Sequence, residues 1–408
     1  MNIVIFTEVY YPFLSGVITH IETLKNALEE QGHKVLIVTT DPTVHRHYIR
    51  DGVLYCPART MKKIYGYGFT TPISRRRMKI ISDFRPDLCH IHTEFSVGLF
   101  GLTAARQLHL PIVYTLHTMY DDYLFYVAPK PLDKVARPAS HWYFRQIAQR
   151  ADEIIGPSTK VVEYLRRCGV QRAINIVPNT VDLTIFRPEN NDLAAARKKR
   201  EELGIGPRDT ALCFVGRLGK EKSLDDLIRF FSESFAGDDS FKLFIIGDGP
   251  EKEALHAQAA ASPAHGQIHF LGRIEHDALP LYYLAFDLFC TASLSEINSI
   301  SMLEALASGL FVVQRNDRLN QNQISEGENG RLFDTGVEFK QIIAAYSHKS
   351  EEEREALRKQ VCASTAKYGK EEFIKHILAV YQKAIRRYRI RRQVYSQTEE
   401  LMNHYEKL

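Results

Sequence analysis

Residues 211–222 read A-L-C-F-V-G-R-L-G-K-E-K, and the pattern in this stretch decides the fold. An unbroken apolar run ends at Gly216, and a charged turn leads from there into a helical pattern. Short apolar runs that alternate with helical periodicity are typical of parallel sheets covered by helices on both faces. We therefore expect a buried strand here that turns sharply into a helix.

The same alternation extends along the chain in both directions. The first helix is predicted over residues 17–31, where Ile21, Leu24 and Leu28 share one face and Gly32 ends the helix. The other predicted strands cover residues 2–7, 35–39, 88–91, 112–115, 153–155, 174–177, 242–246, 268–270, 288–291 and 311–313.

These elements predict an α/β protein with two Rossmann-like, doubly wound domains, at residues 1–188 and 209–370. Residues 189–208 end in a glycine- and proline-containing stretch and are predicted to be a linker. Residues 371–408 are predicted to form one or two long helices that pack back toward the N-terminal domain. Ligands of open α/β sheets bind at the carboxyl ends of the strands, so we expect the two domains to face a cleft there.

Composition supports a folded protein of the cytoplasm. The 408 residues are 45% hydrophobic and 25% charged, and the formal net charge is only +4. Six widely spaced cysteines form no C-x-x-C pair, which favours free thiols in a reducing compartment. We expect no secretory signal, because Met1 leads directly into an apolar strand, and no membrane span, because no apolar run approaches ~20 residues.

Two cations follow the strand in residues 211–222. Arg217 and Lys222 lie beside a predicted helix N-terminus, which makes a suitable site for a pyrophosphate. The alternative is that both are solvated surface charges, and this segment alone leaves the two interpretations equal.

Two carboxylates eight residues apart are the second candidate. Glu296 follows a predicted strand and Glu304 lies in the second turn of an apolar helix, so both can face one ligand. A capping carboxylate plus an exposed helix glutamate is the alternative, but an unpaired buried carboxylate is costly, which argues against it. Free helix amides are expected to point at the same ligand from Asn298, Ser299 and Ile300.

A metal site is not expected. His90 and His92 share a face of one predicted strand, but no third ligand is evident near them in the sequence. No D-x-D stands anywhere in the chain, so the usual acidic metal-holding motif is missing as well.

The ordered motifs Y-P-F-L-S-G-V, G-R-L-G-K-E-K, I-G-D-G-P and E-x7-E together resemble the retaining glycosyltransferases of family four. That family has the two-Rossmann-domain GT-B architecture. Residues 90–101, H-I-H-T-E-F-S-V-G-L-F-G, and 114–123, Y-T-L-H-T-M-Y-D-D-Y, are similar to the bacterial glucosyl-diacylglycerol synthases. The resemblance covers nearly the whole chain.

The resemblance implies a metal-independent transfer of a hexose from a UDP-sugar, UDP-glucose or UDP-galactose, without any cofactor. Arg217 and Lys222 would hold the pyrophosphate, Glu296 the hydroxyls of the sugar and Glu304 the ribose. The resemblance implies further donor contacts from Gly16 (phosphates), His117 (the sugar near the reacting carbon) and Gly272 and Arg273 (the base). Retention is thought to proceed in this family by same-face attack, the leaving phosphate accepting the acceptor's proton.

One turn departs from the family pattern. Residues 296–299 read E-I-N-S, whereas the family usually carries a glycine just before the helix body. Phe311 also stands where proline is common. These departures motivate an alternative in which the chain is a catalytically silent partner subunit.

Basic residues interleaved with aromatics suggest a membrane partner rather than a nucleic acid. Arg137 and Arg145 flank Trp142, the only tryptophan, in a segment with Lys130, Lys134 and Arg150. Two other basic clusters are residues 75–79 and the run Lys383, Arg386, Arg387, Arg389, Arg391 and Arg392. We expect peripheral binding to an anionic membrane, at the cytoplasmic face; ordinary solvated helix faces are the alternative.

The acceptor implied by the subgroup is diacylglycerol or a glycosylated diacylglycerol. Tyr120, Asp121 and Asp122 are candidates for contacts with this acceptor, or equally an exposed loop. A glycosyltransferase with a soluble or polyprenyl-linked acceptor is the nearest alternative function, and the oligomeric state is left open.

Overall fold

The structure is a computed structural model, and it describes residues 1–11, 15–60, 68–122, 133–317, 319 and 322–405. The chain divides into two compact units. The first combines Met1–Pro178 with Glu371–Leu408, and the second is Asn179–Lys370.

A largely parallel sheet forms the centre of the first unit. The strands of this unit are β1 (Asn2–Phe6), β2 (Lys34–Asp41), β3 (Tyr48–Arg50), β4 (Val53–Pro57), β5 (Arg59–Thr60), β6 (Gly68–Phe69), β7 (Leu88–Ile91), β8 (Ile112–Thr115), β9 (Glu153–Gly156) and β10 (Asn175–Ile176). In the described residues the sheet order is β10-β9-β8-β7-β1-β2-β4-β3, with only β3 antiparallel to its neighbour, and β5 and β6 form a separate ribbon.

Helices connect these strands. They are α1 (Gly16–Glu30), α2 (Arg75–Phe84), α3 (Ser96–Leu108), α4 (Asp133–Arg150) and α5 (Thr159–Arg167). Helix α1 buries Ile21, Leu24 and Leu28 in the core, as its apolar spacing predicts.

The second unit has a fully parallel sheet. Its strands are β11 (Thr210–Val215), β12 (Phe241–Ile246), β13 (Ile268–Gly272), β14 (Leu288–Thr291), β15 (Phe311–Arg315) and β16 (Gly330–Phe333), and their order is β13-β12-β11-β14-β15-β16. The helices are α6 (Leu193–Glu202), α7 (Leu224–Phe235), α8 (Lys252–Ala261), α9 (Leu279–Ala285), α10 (Ile300–Ala307), α11 (Gly336–Ser347) and α12 (Glu351–Ser364).

The prediction of a linker at residues 189–208 does not match this arrangement. Helix α6 lies within that range and packs on α9 inside the second unit. Arg200 fixes it there, because its guanidinium lies 2.9 Å from a carboxylate oxygen of the buried Asp287. The polar surface of α6 resembles a linker in sequence, since only Ala196 is buried along it.

One long helix, α13 (Lys370–Tyr405), ends the described chain and packs on the first unit. Phe373, Ile377 and Tyr381 are buried in that unit's core.

The basic residues of α13 do not form one free surface. Lys383 and Arg387 contact the fully buried Glu153 carboxylate at 3.1 and 2.9 Å, and Arg391 contacts Asp152 at 3.1 Å. Residues four apart share one helix face, so these three cations point at the sheet. Half of the basic run that the sequence suggested for lipid binding therefore holds the fold together.

Candidate active site

The anion site predicted in the second unit is built from two facing glycine turns. Leu218 N donates to Asp248 O at 3.0 Å, which brings the turn after β11 against the turn after β12. Gly247 has φ 141°, and a Cβ there would lie 1.8 Å from Gly216 O. Glycine is required at position 247 on both counts, since backbone meets backbone and φ is positive. Arg217 lies in the first of these turns, between Gly216 and Leu218, so this close packing fixes the position of its backbone.

The two predicted cations each meet a carboxylate. Arg217 pairs with Glu221, whose side chain is 1% exposed, so a buried acid orients the guanidinium. Lys222 Nζ lies 2.7 Å from Glu296 Oε1. The structure thus brings together Lys222, predicted for the pyrophosphate, and Glu296, predicted for the sugar, although 74 residues separate them.

The expectation of free amides before α10 was wrong for Ser299. Its N–H donates to Gln323 Oε1 at 2.7 Å, and Gln323 Nε2 donates back to Ser299 O at 2.9 Å. Asn298 is held in the same way, since its side-chain and backbone oxygens accept from Asn179 at 3.0 and 2.9 Å. With Ile300 also buried, this turn is a tightly bonded part of the second unit.

Glu304 is buried and already has partners. It is 3% exposed, and its two oxygens face His276 Nε2 at 3.0 Å and Tyr283 Oη at 3.1 Å. The hydrogen bond from His276 to Glu304 raises the pKa of that imidazole. The cost of burying Glu304 predicts that partners exist, but nothing in the sequence identifies His276 and Tyr283, and both were missed.

Gly272 and Arg273 lie at the end of β13, beside the second glycine turn. Gly247 N donates to Gly272 O at 2.8 Å, and Gly272 has a positive φ of 70°. Arg273 is half-exposed and lies 3.3 Å from Glu275. These two residues therefore join the same carboxyl edge of the sheet as the anion site.

In the first unit, three histidines form a histidine cluster, His20, His92 and His117. His92 Nδ1 lies 2.8 Å from His117 Nε2, and the ring centroids of His20 and His117 are 4.9 Å apart. Burial lowers the pKa of all three, that of His20 to about 4. The expectation that no third group stands near the pair His90 and His92 was wrong.

His90 lies beside the histidine cluster but is engaged elsewhere. Its Nδ1 lies 2.7 Å from Tyr381 Oη and its Nε2 lies 2.7 Å from Thr115 Oγ1. Gly16, which the resemblance assigns to the donor phosphates, is the exposed first residue of α1, the helix that also carries His20. Residues 12–14 lie outside the described residues.

Glu94 binds the predicted acceptor residue Tyr120. Its carboxylate accepts from Tyr114 at 2.8 Å and also from Tyr120. Burial raises the pKa of Glu94 to about 8. Sequence reasoning missed Glu94, although it lies within the H-I-H-T-E motif.

The alternative of an exposed loop is wrong for Tyr120 and Asp121. Tyr120 stacks on Phe144 with ring centroids 4.5 Å apart, and the Asp121 side chain is 8% exposed. Asp121 lies 2.9 Å from His141 Nε2 and 3.9 Å from Arg137. The side chain of Asp122 and the whole of Lys130 lie outside the described residues.

Helix α4 exposes an apolar face. Val135 is 72% exposed and Trp142 is 58% exposed, and their seven-residue spacing puts them on the same side of the helix. Arg137 and Lys134 are exposed nearby, whereas Arg145 is half-buried against Gly169. The structure thus separates Arg145 from the surface that the sequence predicted for it. No helix in the described residues has the length and apolarity to span a bilayer.

Comparisons with known proteins match both units. Residues 14–185 match the family Glycosyltransferase Family 4, and residues 195–364 match Glycosyl transferases group 1. The chain is 30% identical over 390 residues to an alpha-monoglucosyldiacylglycerol synthase of Acholeplasma laidlawii, covering 93% of this chain and 96% of that protein. The synthase of Streptococcus pneumoniae is 33% identical over 335 residues, with 82% and 75% covered.

Solved structures agree on the fold. The Anabaena protein HepE in complex with UDP and glucose superposes with a TM-score of 0.72 at 17% identity, over 94% of this chain and 99% of that one. The prediction of two Rossmann-like domains is confirmed by this match and by the two parallel sheets.

Proposed function

Because the chain belongs to glycosyltransferase family 4, we propose that it is a retaining hexosyltransferase that moves glucose or galactose from a UDP-sugar to diacylglycerol or glycosyl-diacylglycerol. The contact between Lys222 and Glu296 is the observation that carries the donor half of this proposal. A cation suited to a phosphate stands beside a carboxylate suited to sugar hydroxyls, which is the pair that a nucleotide-sugar requires.

In the proposed reaction the bond between sugar C1 and the β-phosphate oxygen breaks while the acceptor hydroxyl oxygen bonds to C1. The hydroxyl proton passes to the departing phosphate, so UDP and the glycolipid are the only products. Negative charge builds on the phosphate during cleavage, and Arg217 and Lys222 stabilise it, at about 3 kcal/mol for each well-placed donor. These cations take the role that a metal ion has in other transferases.

Glu296 has a second role in the proposed cycle. While the donor is absent, its carboxylate neutralises Lys222 at 2.7 Å. A bound pyrophosphate attracts Lys222 more strongly than one carboxylate does, which releases Glu296 to accept from the sugar hydroxyls. Buried Glu221 keeps Arg217 oriented throughout, so Glu221 is a positioning residue.

The proposal of a lipid acceptor is supported by the relatives and by the exposed face of α4. Both relatives above are named alpha-monoglucosyldiacylglycerol synthases. Exposed Val135 and Trp142, with Lys134 and Arg137 close by, suit insertion at an anionic bilayer surface from the cytoplasmic side. On the resemblance to family 4, we assign His117 to the transferred sugar and Tyr120 and Asp121 to the acceptor.

A silent partner subunit is the second candidate. The observation that favours it is the turn at Asn298 and Ser299, where the Ser299 N–H donates to Gln323 and is therefore not available to a sugar or phosphate. A protein of this kind would bind UDP without turnover.

The test measures UDP release by the purified full-length protein with chelator present. Anionic vesicles with diacylglycerol are compared with vesicles of the same charge without it, using UDP-glucose and UDP-galactose in turn. Release that requires diacylglycerol, with a glycolipid product, supports the proposal. Equal release on both vesicles points to a soluble acceptor or hydrolysis, and UDP binding without release points to the silent subunit.

A further inference from the structure

We propose that His20, His92 and His117 form a binding site for one divalent transition-metal ion of the Zn²⁺ type. One nitrogen of each ring lies within 4.8 Å of one nitrogen of each of the others. In a tetrahedral Zn²⁺ site with bonds of ~2.0–2.1 Å, ligand nitrogens stand about 3.3 Å apart.

Two of the three rings, those of His20 and His92, carry a nitrogen without a hydrogen-bond partner among the described residues. These nitrogens are Nδ1 of His20 and Nε2 of His92. His20 is 3% exposed and His92 is 1% exposed. A buried polar nitrogen without a partner costs free energy, and a metal bond removes that cost. Two such atoms in one cluster therefore point to a ligand.

The chemistry of the three rings selects the ion. Imidazole suits Zn²⁺, Cu²⁺ and Ni²⁺, whereas Mg²⁺ and Ca²⁺ prefer oxygen ligands. Burial lowers the pKa of these side chains, so the neutral, ligating form dominates at neutral pH. Three protein ligands leave a fourth position for water. His117 is only partly buried, which gives the ion a way in.

The positions of the ligands are rigid. His20 is held in α1, with its ring against Phe373 at a centroid distance of 5.3 Å. His92 directly follows β7, where its backbone N–H donates to Phe6 O at 2.9 Å. Two ligands fixed by a helix and a sheet reduce the ordering cost of binding.

The consequence for activity rests on the proposed function. A metal ion on His117 would remove the imidazole that we assign to the donor sugar, so micromolar Zn²⁺ should inhibit transfer. The ion would thus act against a reaction that itself needs no metal.

The experiment titrates the chelator-treated full-length protein with Co²⁺ as a spectroscopic substitute for Zn²⁺. We expect one Co²⁺ per chain with the visible bands of a low-coordinate site, displaced by Zn²⁺. His20→Gln and His92→Gln should each weaken Co²⁺ binding by more than about 100-fold. Removing a group that hydrogen-bonds to a metal ligand already lowers metal affinity by about 10–100-fold, and removing the ligand itself has a larger effect. His90→Gln is the matched control, since His90 is an equally buried neighbour whose nitrogens already have partners.

Circular dichroism of each variant checks that the fold is kept, and His117→Gln repeats the test at a partly exposed position where a folding defect is not expected. Absence of Co²⁺ bands in the wild type, or bands that survive His20→Gln and His117→Gln, would overturn the proposal. Because the spectrum involves no donor, a protein that binds Co²⁺ but transfers no sugar would refute the proposed function alone.

Discussion

Glu153→Gln is the substitution that tests how α13 is held on the first unit. Glu153 is fully buried at the start of β9, and its carboxylate meets Lys383 at 3.1 Å, Arg387 at 2.9 Å and the Asn175 amide at 2.8 Å. The change keeps the shape and removes the charge, so it leaves two cations facing a neutral amide.

The size of the effect follows from the exposure of the partners. Removing one partner of a buried ion pair costs about 3–5 kcal/mol. The side chains of Lys383 and Arg387 are 44% and 43% exposed, so water compensates part of the loss and we expect about 1–3 kcal/mol. For units of ~150–250 residues, 1 kcal/mol shifts the melting temperature by about 2–4 °C, so the expected decrease is roughly 2–12 °C.

The assay is thermal unfolding followed by circular dichroism, with Glu163→Gln on the exposed side of α5 as the matched control. A double-mutant cycle with Arg387→Ala should show coupling of about 1–2 kcal/mol. A Glu153→Gln protein that is as stable as the control, with no coupling to Arg387, would refute the structural role of these cations. Binding to anionic lipid would then again be the explanation for them.

Three further predictions concern single sites. Gly247→Ala should destabilise the second unit by more than about 2 kcal/mol, because φ is 141° and a backbone oxygen lies 1.8 Å from the new Cβ; Gly266→Ala, where the Cβ meets open space, is the control in the same melting assay. The raised pKa of His276 predicts a contribution to stability that is complete below pH ~6.5 and declines as pH rises through the folded pKa. Denaturant unfolding at several pH values should therefore show that the difference between wild type and His276→Gln shrinks toward alkaline pH, and a constant difference would contradict the ion pair with Glu304. Trp142→Ser should weaken sedimentation with anionic vesicles about 10-fold while leaving the melting temperature unchanged, because Trp142 is 58% exposed; unchanged sedimentation would exclude α4 as the membrane contact.

The fold could be predicted because each buried parallel strand is a continuous apolar run in the sequence. Strands β11, β12 and β14 begin and end within two residues of their predicted limits. Strands β3, β4, β5, β6 and β16 were not predicted. Strand β4 was missed although Val53, Leu54 and Cys56 are buried, and β5 and β6 are only two residues long. All three residues of β3 are exposed, and β16 begins with glycine and an exposed arginine, so neither forms a buried apolar run.

The site was predictable only where local chain geometry determines it. The glycine turn at Gly247 and the cation Lys222 follow directly from short motifs. The partners that complete the site come from distant parts of the chain, as Gln323 does for Ser299 and His276 does for Glu304. A buried glutamate in an apolar helix predicts that a partner exists, while only the folded chain shows which residue it is.

The central claim is that Glu296 beside Lys222 serves the transferred sugar, and transfer of labelled glucose from UDP-glucose to diacylglycerol vesicles tests it most directly. Glu296→Gln is compared with Glu355→Gln, a change of the same kind at an exposed helix position of the second unit. We predict that Glu296→Gln lowers kcat/KM at least about 100-fold while the protein stays folded by circular dichroism, and that Glu355→Gln matches the wild type. Full transfer activity in Glu296→Gln would contradict the account.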